Sequence, residues 1–263
     1  DKHFYQPGLF YLPFGAFRES NLYKSQKEVL DDRIDFKVDP VIKIDIQDDA
    51  ITTESGRVHD YDYLVIATGS RIRPDLIPGM RESAHWFYDL DGARRLREAL
   101  EDFMGGHVVI NVNAPHKCPV APVEVTFMMH SFLKKRGLLE SSEITYTYPI
   151  GRLHGIESVS NWLEPEFESL GIRSETFFNT KEVVPSKRII ETEEGASLPY
   201  ELLITIPPHS GAQLIEDSNL GIGGWVPTDP QTLLLEGSNN VFVLGDTTNI
   251  PISKAGSTAH FEA

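Results

Sequence analysis

The pattern of apolar and polar positions changes character along the chain. Between residues 35 and 68, short alternating or apolar runs are separated by Asp-Asp and Ser-Gly turns, which predicts a small antiparallel meander that leads into a buried strand at 63–67. From residue 89 to residue 171, helical and strand patterns alternate, as is typical of a parallel sheet wrapped by helices. Hairpin strands then lead to two further buried strands, at 202–206 and 241–244.

The alternating part carries three predicted helices and two predicted strands. The helices are expected at 89–104, 120–137 and 160–171, and the strands at 107–113 and 142–150. Since strand patterns occur both before and after this part, the sequence predicts two interleaved α/β units, one of which is discontinuous in sequence.

Composition narrows the range of functions. The 263 residues carry a formal net charge of −15, which argues against a nucleic-acid partner because phosphate backbones are bound mainly through Lys and Arg. The single cysteine cannot form an intrachain disulfide and fits a reducing compartment. The nine histidines show no metal-like clustering, so we predict no metal site. No apolar run approaches the ~20 residues of a membrane-spanning helix, and no signal-peptide layout is found.

Two glycine-containing motifs follow buried strands. They are "LVIATGS" at 64–70 and "VFVLGDTTNIP" at 241–251. A glycine at the carboxyl end of a strand allows a ligand to approach the backbone closely, and Asp246 is placed to accept hydrogen bonds from a sugar-like or ribityl hydroxyl. Either motif alone is more often an ordinary turn than a ligand site.

The only cysteine, Cys118, lies in "NAPHKCPVAP" at 113–122, between a predicted strand and a predicted helix. A helix N-terminus and the neighbouring His116 and Lys117 favour the thiolate over the thiol, and the thiolate is the reactive form. The alternative is an inert cysteine that serves only for packing.

Taken together and in this order, the motifs resemble those of the FAD-dependent pyridine nucleotide-disulfide oxidoreductase superfamily, and within it the sulfide:quinone oxidoreductase family. The resemblance extends over nearly the whole chain, through the segments 3–15, 117–122, 223–229 and 245–261. It implies two interleaved Rossmann-like, three-layer domains of the FAD/NAD(P)-binding type. Residues 1–80 and 208–263 would form the remainder of a discontinuous FAD-binding domain, and residues 81–207 a second domain that carries Cys118.

The resemblance also implies roles for particular residues. Cys118 would react with the sulfur substrate, and Lys254 would stabilise negative charge on the reduced flavin ring. The residues expected to bind FAD are Thr68 and Gly69 near its adenine end, Gly245 and Asp246 at the ribityl chain, Lys254, and the loop Gln6, Pro7 and Gly8 beside the flavin. The implied partners are a small sulfur compound and a quinone.

The sequence departs from the family pattern at three places. No G-x-G-x-x-G motif occurs, so we expect a fragment that lacks the N-terminal nucleotide-binding unit and a C-terminal segment. The segment 113–122 has no glycine turn, which argues against a bound nicotinamide dinucleotide. Thr247 stands where the family has the second redox cysteine. Three explanations are open: a one-cysteine mechanism with a persulfide or flavin adduct at Cys118, a partner cysteine elsewhere, or a different substrate.

Two alternative functions are weighed against this interpretation. One is a flavoprotein similar to the type II NADH dehydrogenases, and the other is an FAD-free binding or scaffold domain. The resemblance further implies a cytoplasmic protein, with peripheral contact to the inner face of a membrane through segments outside this chain, and a homodimer as its oligomeric state.

Overall fold

The computed structural model describes all 263 residues, and the chain divides into two compact units. The first consists of Asp1, residues 30–72 and residues 209–263, and the second of residues 2–29 and 73–208. Both units are discontinuous in sequence, whereas the strand pattern predicts two interleaved units of which one is discontinuous.

The structure contains sixteen strands and seven α-helices. The strands are β1 (Lys2–Phe4), β2 (Tyr23–Ser25), β3 (Val41–Asp45), β4 (Ala50–Thr53), β5 (Val58–Asp60), β6 (Leu64–Ile66), β7 (Ser70–Ile72), β8 (Gly106–Val112), β9 (Ser142–Thr147), β10 (Arg173–Glu175), β11 (Thr180–Val184), β12 (Ile189–Thr192), β13 (Ser197–Pro199), β14 (Leu202–Ile206), β15 (His209–Gly211) and β16 (Val241–Val243). The helices are α1 (Gln26–Val29), α2 (Met80–Ser83), α3 (Leu90–Asp102), α4 (Val120–Arg136), α5 (Glu157–Ser169), α6 (Gln213–Asp217) and α7 (Gly256–Glu262).

A four-stranded parallel sheet forms the centre of the second unit, in the order β10-β9-β8-β14. One face is covered by α3, α4 and α5, which contribute the buried side chains Leu96, Leu100, Met129, Leu133, Leu163 and Phe167. Each of these is at most 1% exposed, so each contributes ~2 kcal/mol of hydrophobic stabilisation. The predicted strands and helices of this region are therefore confirmed, with ends that differ by a few residues.

The opposite face of this sheet is covered by strands, whereas the alternating pattern predicts helices on both faces. Val109 and Leu203 point to this face and pack with Val183 and Ile190 of the antiparallel sheet β11-β12-β13. Gly79 allows the chain to pass this sheet closely: its φ is 73°, and a Cβ there would lie 1.9 Å from the Val183 carbonyl oxygen. The unit has three layers: helices, a parallel sheet and an antiparallel sheet.

The first unit combines a parallel strand pair with an antiparallel meander. β6 and β16 are parallel neighbours, and β3-β4-β5 is the meander that the sequence predicts at 35–68. Ile66 and Val243 from the strand pair pack with Ile44 of the meander and Ile215 of α6. β7 and β15 form a further antiparallel pair.

The N-terminal segment groups differently from the predicted domain division. Residues 2–29 and 73–80 were expected to belong with residues 208–263, yet they lie in the second unit. The physical reason is that Leu9 and Leu12 pack against Ala93 of α3, while the rings of Phe10 and Phe87 lie 6.3 Å apart. The assignment of the two units as FAD-binding and second domain stays a prediction. No helix is long and apolar enough to cross a membrane.

Candidate functional site

The carboxyl ends of β6 and β16 bring the two glycine motifs side by side. The strands are in register from Leu64 opposite Val241 to Ile66 opposite Val243. Beyond this register the Leu244 amide donates to the Ile66 carbonyl oxygen at 2.9 Å. Gly69 and Gly245 follow these strands with φ values of 68° and 74°, in the left-handed region that glycine adopts without strain.

Side chains of the two motifs are hydrogen-bonded to one another. The Thr68 and Thr247 hydroxyl oxygens lie 3.0 Å apart, and the Ser70 hydroxyl donates to Asp246 Oδ2 at 3.2 Å. Thr247 is fully buried, whereas Thr68 is exposed and Asp246 is half-buried. The structure therefore brings together four of the residues expected at a cofactor: Thr68, Gly69, Gly245 and Asp246.

The geometry at these strand ends fits a bound nucleotide cofactor. A Cβ added at Gly69 would meet nothing within 4 Å, so the backbone is open to a ligand at that point. At Gly245 an added Cβ would lie 3.3 Å from the Ala259 Cβ, and the Gly245 amide donates to Glu262 Oε2, so this glycine packs against α7. The half-buried Asp246 carboxylate offers acceptors for hydroxyl groups, and ligands in open α/β sheets bind at the carboxyl ends of strands.

Lys254 lies in the same unit, beside Asp246. Its Nζ donates to the carbonyl oxygens of Thr248 at 2.7 Å and Ile250 at 3.3 Å, and it lies 5.4 Å from the centre of the Trp225 ring. Burial lowers the pKa of Lys254, while the charges of Asp246 and Glu262 act in the opposite direction. The side chain is thus a held, partly desolvated ammonium rather than a solvated surface lysine.

Cys118 lies in the second unit, in the loop between the end of β8 and the start of α4. We call residues 114–119 the Cys118 loop. The Cys118 φ of 52° is a left-handed conformation, which is uncommon for a residue with a side chain. Its carbonyl oxygen accepts the first hydrogen bond of the helix region, from the Ala121 amide at 3.1 Å. The thiol is free and partly buried.

The electrostatics of Cys118 differ from the expectation that its neighbours favour the thiolate. Burial raises the pKa of the Cys118 thiol, and the Glu124 charge raises this pKa further. Hydrogen bonds from the amides of Ala121 and Val120 and the charge of Lys117 lower it, but the net shift of the pKa is upward. The expectation from the local sequence was therefore wrong, because desolvation outweighs the helix N-terminus and the lysine.

His116 also differs from its expected role as a positive neighbour. Burial lowers the pKa of His116, so its imidazole is held neutral. Its Nδ1 lies 3.1 Å from the Lys117 carbonyl oxygen, within the loop itself. A neutral, buried imidazole adds no positive charge that would favour the thiolate.

The loop formed by Gln6, Pro7 and Gly8 contacts the Cys118 loop through Gln6. Lys117 Nζ donates to Gln6 Oε1 at 3.0 Å, and Gln6 begins a short 3₁₀ helix, Gln6–Leu9, with Pro7 in its first turn. Gly8 has a packing reason of its own, since a Cβ there would lie 2.3 Å from Leu22 Cδ2. The structure therefore places Gln6 beside the Cys118 loop, while Gly8 supports the fold.

Glu124 is a site residue that the sequence reasoning missed. It lies in the second turn of α4, raises the pKa of Cys118, and accepts a hydrogen bond from the Tyr11 hydroxyl at 2.9 Å. That bond is also the main cause that raises the pKa of Tyr11. A signal was present in the sequence: Glu124 is the only acidic residue between Lys117 and Lys134, in a stretch that is otherwise apolar or neutral.

Two further side chains near the Cys118 loop were also missed. The Tyr88 hydroxyl donates to the Lys117 carbonyl oxygen at 3.2 Å. His154 is 2% exposed, its Nδ1 accepts from the Ile156 amide at 3.0 Å, and its Nε2 has no hydrogen-bond partner. Burial is the main cause that lowers the pKa of His154. Both residues follow strand or loop patterns in the sequence, and only the fold brings them to Cys118.

Comparisons with known proteins find sulfide:quinone oxidoreductases and, with lower coverage, alternative NAD(P)H-ubiquinone oxidoreductases from Arabidopsis thaliana. No family model matches the chain. Mouse mitochondrial sulfide:quinone oxidoreductase is 27% identical over 270 residues, which cover 98% of this chain and 60% of the relative. The Dictyostelium discoideum mitochondrial sulfide:quinone oxidoreductase is 25% identical over 275 residues, which cover 100% of this chain and 61% of the relative. The chain therefore spans about 60% of the length of these curated relatives.

The fold is shared with solved oxidoreductase structures. The crystal structure of the sulfide:quinone oxidoreductase from Aquifex aeolicus matches with a TM-score of 0.85 and 23% identity, over 95% of this chain and 61% of the other. This match confirms the predicted class of interleaved Rossmann-like domains, with the parallel sheets and the antiparallel meander described above.

Proposed function

This chain is a relative of the sulfide:quinone oxidoreductases over nearly its whole length, and from this premise we propose that it is the greater part of an FAD-dependent oxidoreductase. The proposed reaction is the two-electron oxidation of sulfide or another small sulfur compound at Cys118: an S–S bond would form between Cys118 Sγ and the substrate sulfur, one S–H proton would leave each sulfur, and the two electrons would pass to the bound cofactor and from it to a quinone. A lipid-soluble acceptor would bring the protein to a membrane surface, where we propose a peripheral attachment from the cytoplasmic side. A homodimer stays a prediction.

One observation carries the sulfur part of this proposal. Cys118, the only thiol of the chain, lies at the carboxyl end of β8, where dinucleotide-binding domains carry a glycine-rich turn. The loop has no glycine, is built from prolines on both sides of the thiol, and holds Cys118 in a left-handed conformation. Strained residues of this kind cluster at functional sites.

The residues of the first unit are suited to hold FAD. The open backbone at Gly69 and the carboxylate of Asp246 would bind its hydroxyl and phosphate-linked parts, with the Thr68 hydroxyl at the same edge and Gly245 in the turn that presents Asp246. The bound cofactor would supply a two-electron acceptor for the sulfur substrate. Lys254, a partly desolvated cation beside Asp246, would stabilise the negative charge that such a reduction creates.

The protein's own groups also determine the protonation of the thiol. Cys118 is protonated at rest, because burial and the Glu124 carboxylate both raise its pKa. Reaction at sulfur requires that the Sγ proton leaves, since the thiolate is the nucleophile. The Lys117 ammonium is the charge that assists this loss. Thr247 has a hydroxyl bonded to Thr68 and cannot form a disulfide, so the proposed reaction uses one thiol from this chain.

The proposal is tested by anaerobic flavin spectra of the whole protein, titrated separately with sulfide and with NADH. We expect sulfide, but not NADH, to bleach the flavin absorbance. Cys118→Ser should retain FAD and be reduced by sulfide at least ~100-fold more slowly, because the hydroxyl is a far weaker nucleophile. A matched control, Ser131→Ala on the exposed side of α4, should behave as the parent.

Three outcomes would contradict the proposal. Reduction of Cys118→Ser at the parent's rate would make the thiol structural. Bleaching by NADH alone would favour an NADH-using flavoprotein. Absence of flavin absorbance from the whole protein would contradict the proposed FAD cofactor.

A further inference from the structure

A buried polar network joins the carboxyl ends of adjacent strands in the parallel sheet of the second unit. Its members are Asn111 in β8, Asn113 just after β8, Thr147 at the end of β9, Thr205 in β14 and Thr180 at the start of β11. Four of them are buried, and Thr180 is half-buried. None of these side chains entered the function proposed above.

Asn111 is the centre of the network. Its Nδ2 donates to the hydroxyls of Thr147 and Thr180, both at 2.9 Å, and its Oδ1 accepts from the hydroxyls of Thr180 and Thr205, both at 3.3 Å. Polar groups at this edge of an α/β sheet commonly serve a ligand. Here they are bonded to one another, so they form a support rather than a binding site.

Asn113 connects this support to the Cys118 loop. Its Nδ2 lies 2.8 Å from Asn111 Oδ1, 3.2 Å from the Thr205 hydroxyl and 3.1 Å from the Ile206 carbonyl oxygen. Its main-chain amide donates to the same Ile206 carbonyl at 3.1 Å. Both the side chain and the backbone of Asn113 are therefore fixed at the residue that immediately precedes the loop.

The loop is anchored at its other end as well. The Tyr88 hydroxyl donates to the Lys117 carbonyl oxygen at 3.2 Å, and the Ala121 amide donates to the Cys118 carbonyl oxygen at 3.1 Å. Between these anchors, Cys118 has a φ of 52°. A non-glycine residue keeps such a conformation only where the surrounding structure over-determines it.

We propose that Asn113 is a positioning residue, which holds the Cys118 loop to the sheet edge and thereby fixes the conformation and burial of the reactive thiol. Asn113 acts through the loop and touches no reacting atom. The relevance to catalysis rests on the proposed function, whereas the effect on the thiol does not.

The test measures the alkylation of Cys118 by iodoacetamide as a function of pH, in the whole protein with its cofactor, by mass spectrometry of the Cys118 peptide. The titratable groups at the thiol and around its loop stay unchanged: Glu124 from α4, Lys117 from the loop and Tyr88 before α3 act on the thiol, and His116 and His154 lie at the loop. Asn113→Leu keeps the size of the side chain and removes the donor. A looser loop exposes the thiol, so alkylation at neutral pH should rise about fivefold, with the pH profile displaced to lower pH.

Two further variants separate positioning from general stability. Thr205→Val removes one acceptor of Asn113 and should raise the alkylation rate by a smaller factor, while Thr205→Ser, which keeps the hydroxyl, should restore the parent's rate. Thr180→Val is the matched control: it removes both hydrogen bonds between Asn111 and Thr180 and leaves the direct contacts of Asn113 in place. Its alkylation profile should equal that of the parent.

Several results would overturn the proposal. An unchanged alkylation profile in Asn113→Leu, or an equal change in Thr180→Val, would reduce the network to ordinary stabilisation. If Asn113→Leu does not fold, an unchanged profile in Thr205→Val overturns the proposal in its place. None of these measurements uses sulfide or the reduction of flavin. If sulfide does not reduce the protein, that result contradicts the proposed function but not the positioning role of Asn113.

Discussion

The hydroxyl pair of Thr68 and Thr247 permits an asymmetric prediction about stability. The two oxygens lie 3.0 Å apart, but only Thr247 is fully buried, and its hydroxyl has no other bond. In Thr68→Val, the buried Thr247 hydroxyl loses its partner where water cannot replace it, which should cost ~1–3 kcal/mol. In Thr247→Val, the exposed Thr68 hydroxyl turns to water and the buried site receives an apolar group of the same shape. That change should cost less than ~1 kcal/mol.

The double variant, Thr68→Val with Thr247→Val, measures the coupling between the two hydroxyls. Once Thr247 is valine, no buried hydroxyl remains to be orphaned, so Thr68→Val should then have almost no further cost. The free energy of unfolding of the double variant should therefore equal that of Thr247→Val within ~0.5 kcal/mol, rather than the sum of the two single changes.

Urea unfolding provides the assay, with the free energy of unfolding compared among the parent, both single variants and the double variant. Circular dichroism follows the unfolding, because Trp86 and Trp162 lie in the other unit and tryptophan fluorescence would report on both units. Strictly additive costs, or a larger cost for Thr247→Val than for Thr68→Val, would refute the reasoning. Either result would mean that the pair is not a hydrogen bond between a buried and an exposed hydroxyl.

Two further changes test the site and the fold. Glu124→Gln removes a carboxylate that raises the pKa of Cys118, so this pKa should fall and alkylation of the thiol should become faster at each pH below the pKa. Glu124→Asp, which keeps the charge, is the control. An unchanged alkylation profile in Glu124→Gln would contradict the assigned effect of Glu124 on the thiol. Gly79→Ala places a Cβ 1.9 Å from the Val183 carbonyl oxygen at a positive φ, and urea unfolding should show a loss of more than ~2 kcal/mol. Gly137→Ala, with positive φ but open space, should lose only ~1 kcal/mol, and equal losses would contradict the close approach.

The secondary structure was largely predictable because the apolar periods are strong. The segment 107–113 contains four β-branched apolar residues, at 108–110 and 112, and forms β8, Gly106–Val112, at the centre of a sheet covered on both faces. The helix predicted at 120–137 is α4, Val120–Arg136, and it ends at Gly137 with a φ of 69°. In both cases the local pattern and the tertiary packing favour the same element.

The pattern of apolar and polar residues did not predict which elements pack together over long distances in sequence. Residues 2–29 contain short, irregular elements without a period, and their place in the second unit depends on Leu9 and Leu12 meeting Ala93 of α3. The antiparallel sheet of β11, β12 and β13 is a second example. Its hairpin strands were predictable from the sequence, but not the face of the parallel sheet that they cover. Such contacts join residues that are far apart in sequence, and the local sequence pattern of either partner does not indicate them.

The chemistry at Cys118 shows the same difference between local sequence and fold. Lys117 is adjacent in sequence, but its ammonium is bonded to Gln6, whereas Glu124 lies six positions away and the turn of α4 brings its charge to bear on the thiol. Burial acts in the same direction as Glu124, so the thiol keeps its proton. A protonated, anchored thiol resists nonspecific oxidation, since the thiolate is the form that reacts. If Cys118 reacts as proposed, its thiol would lose the proton only once a bound substrate changes the charge or hydration around it, and the pKa raised by burial would then favour the substrate over nonspecific oxidants.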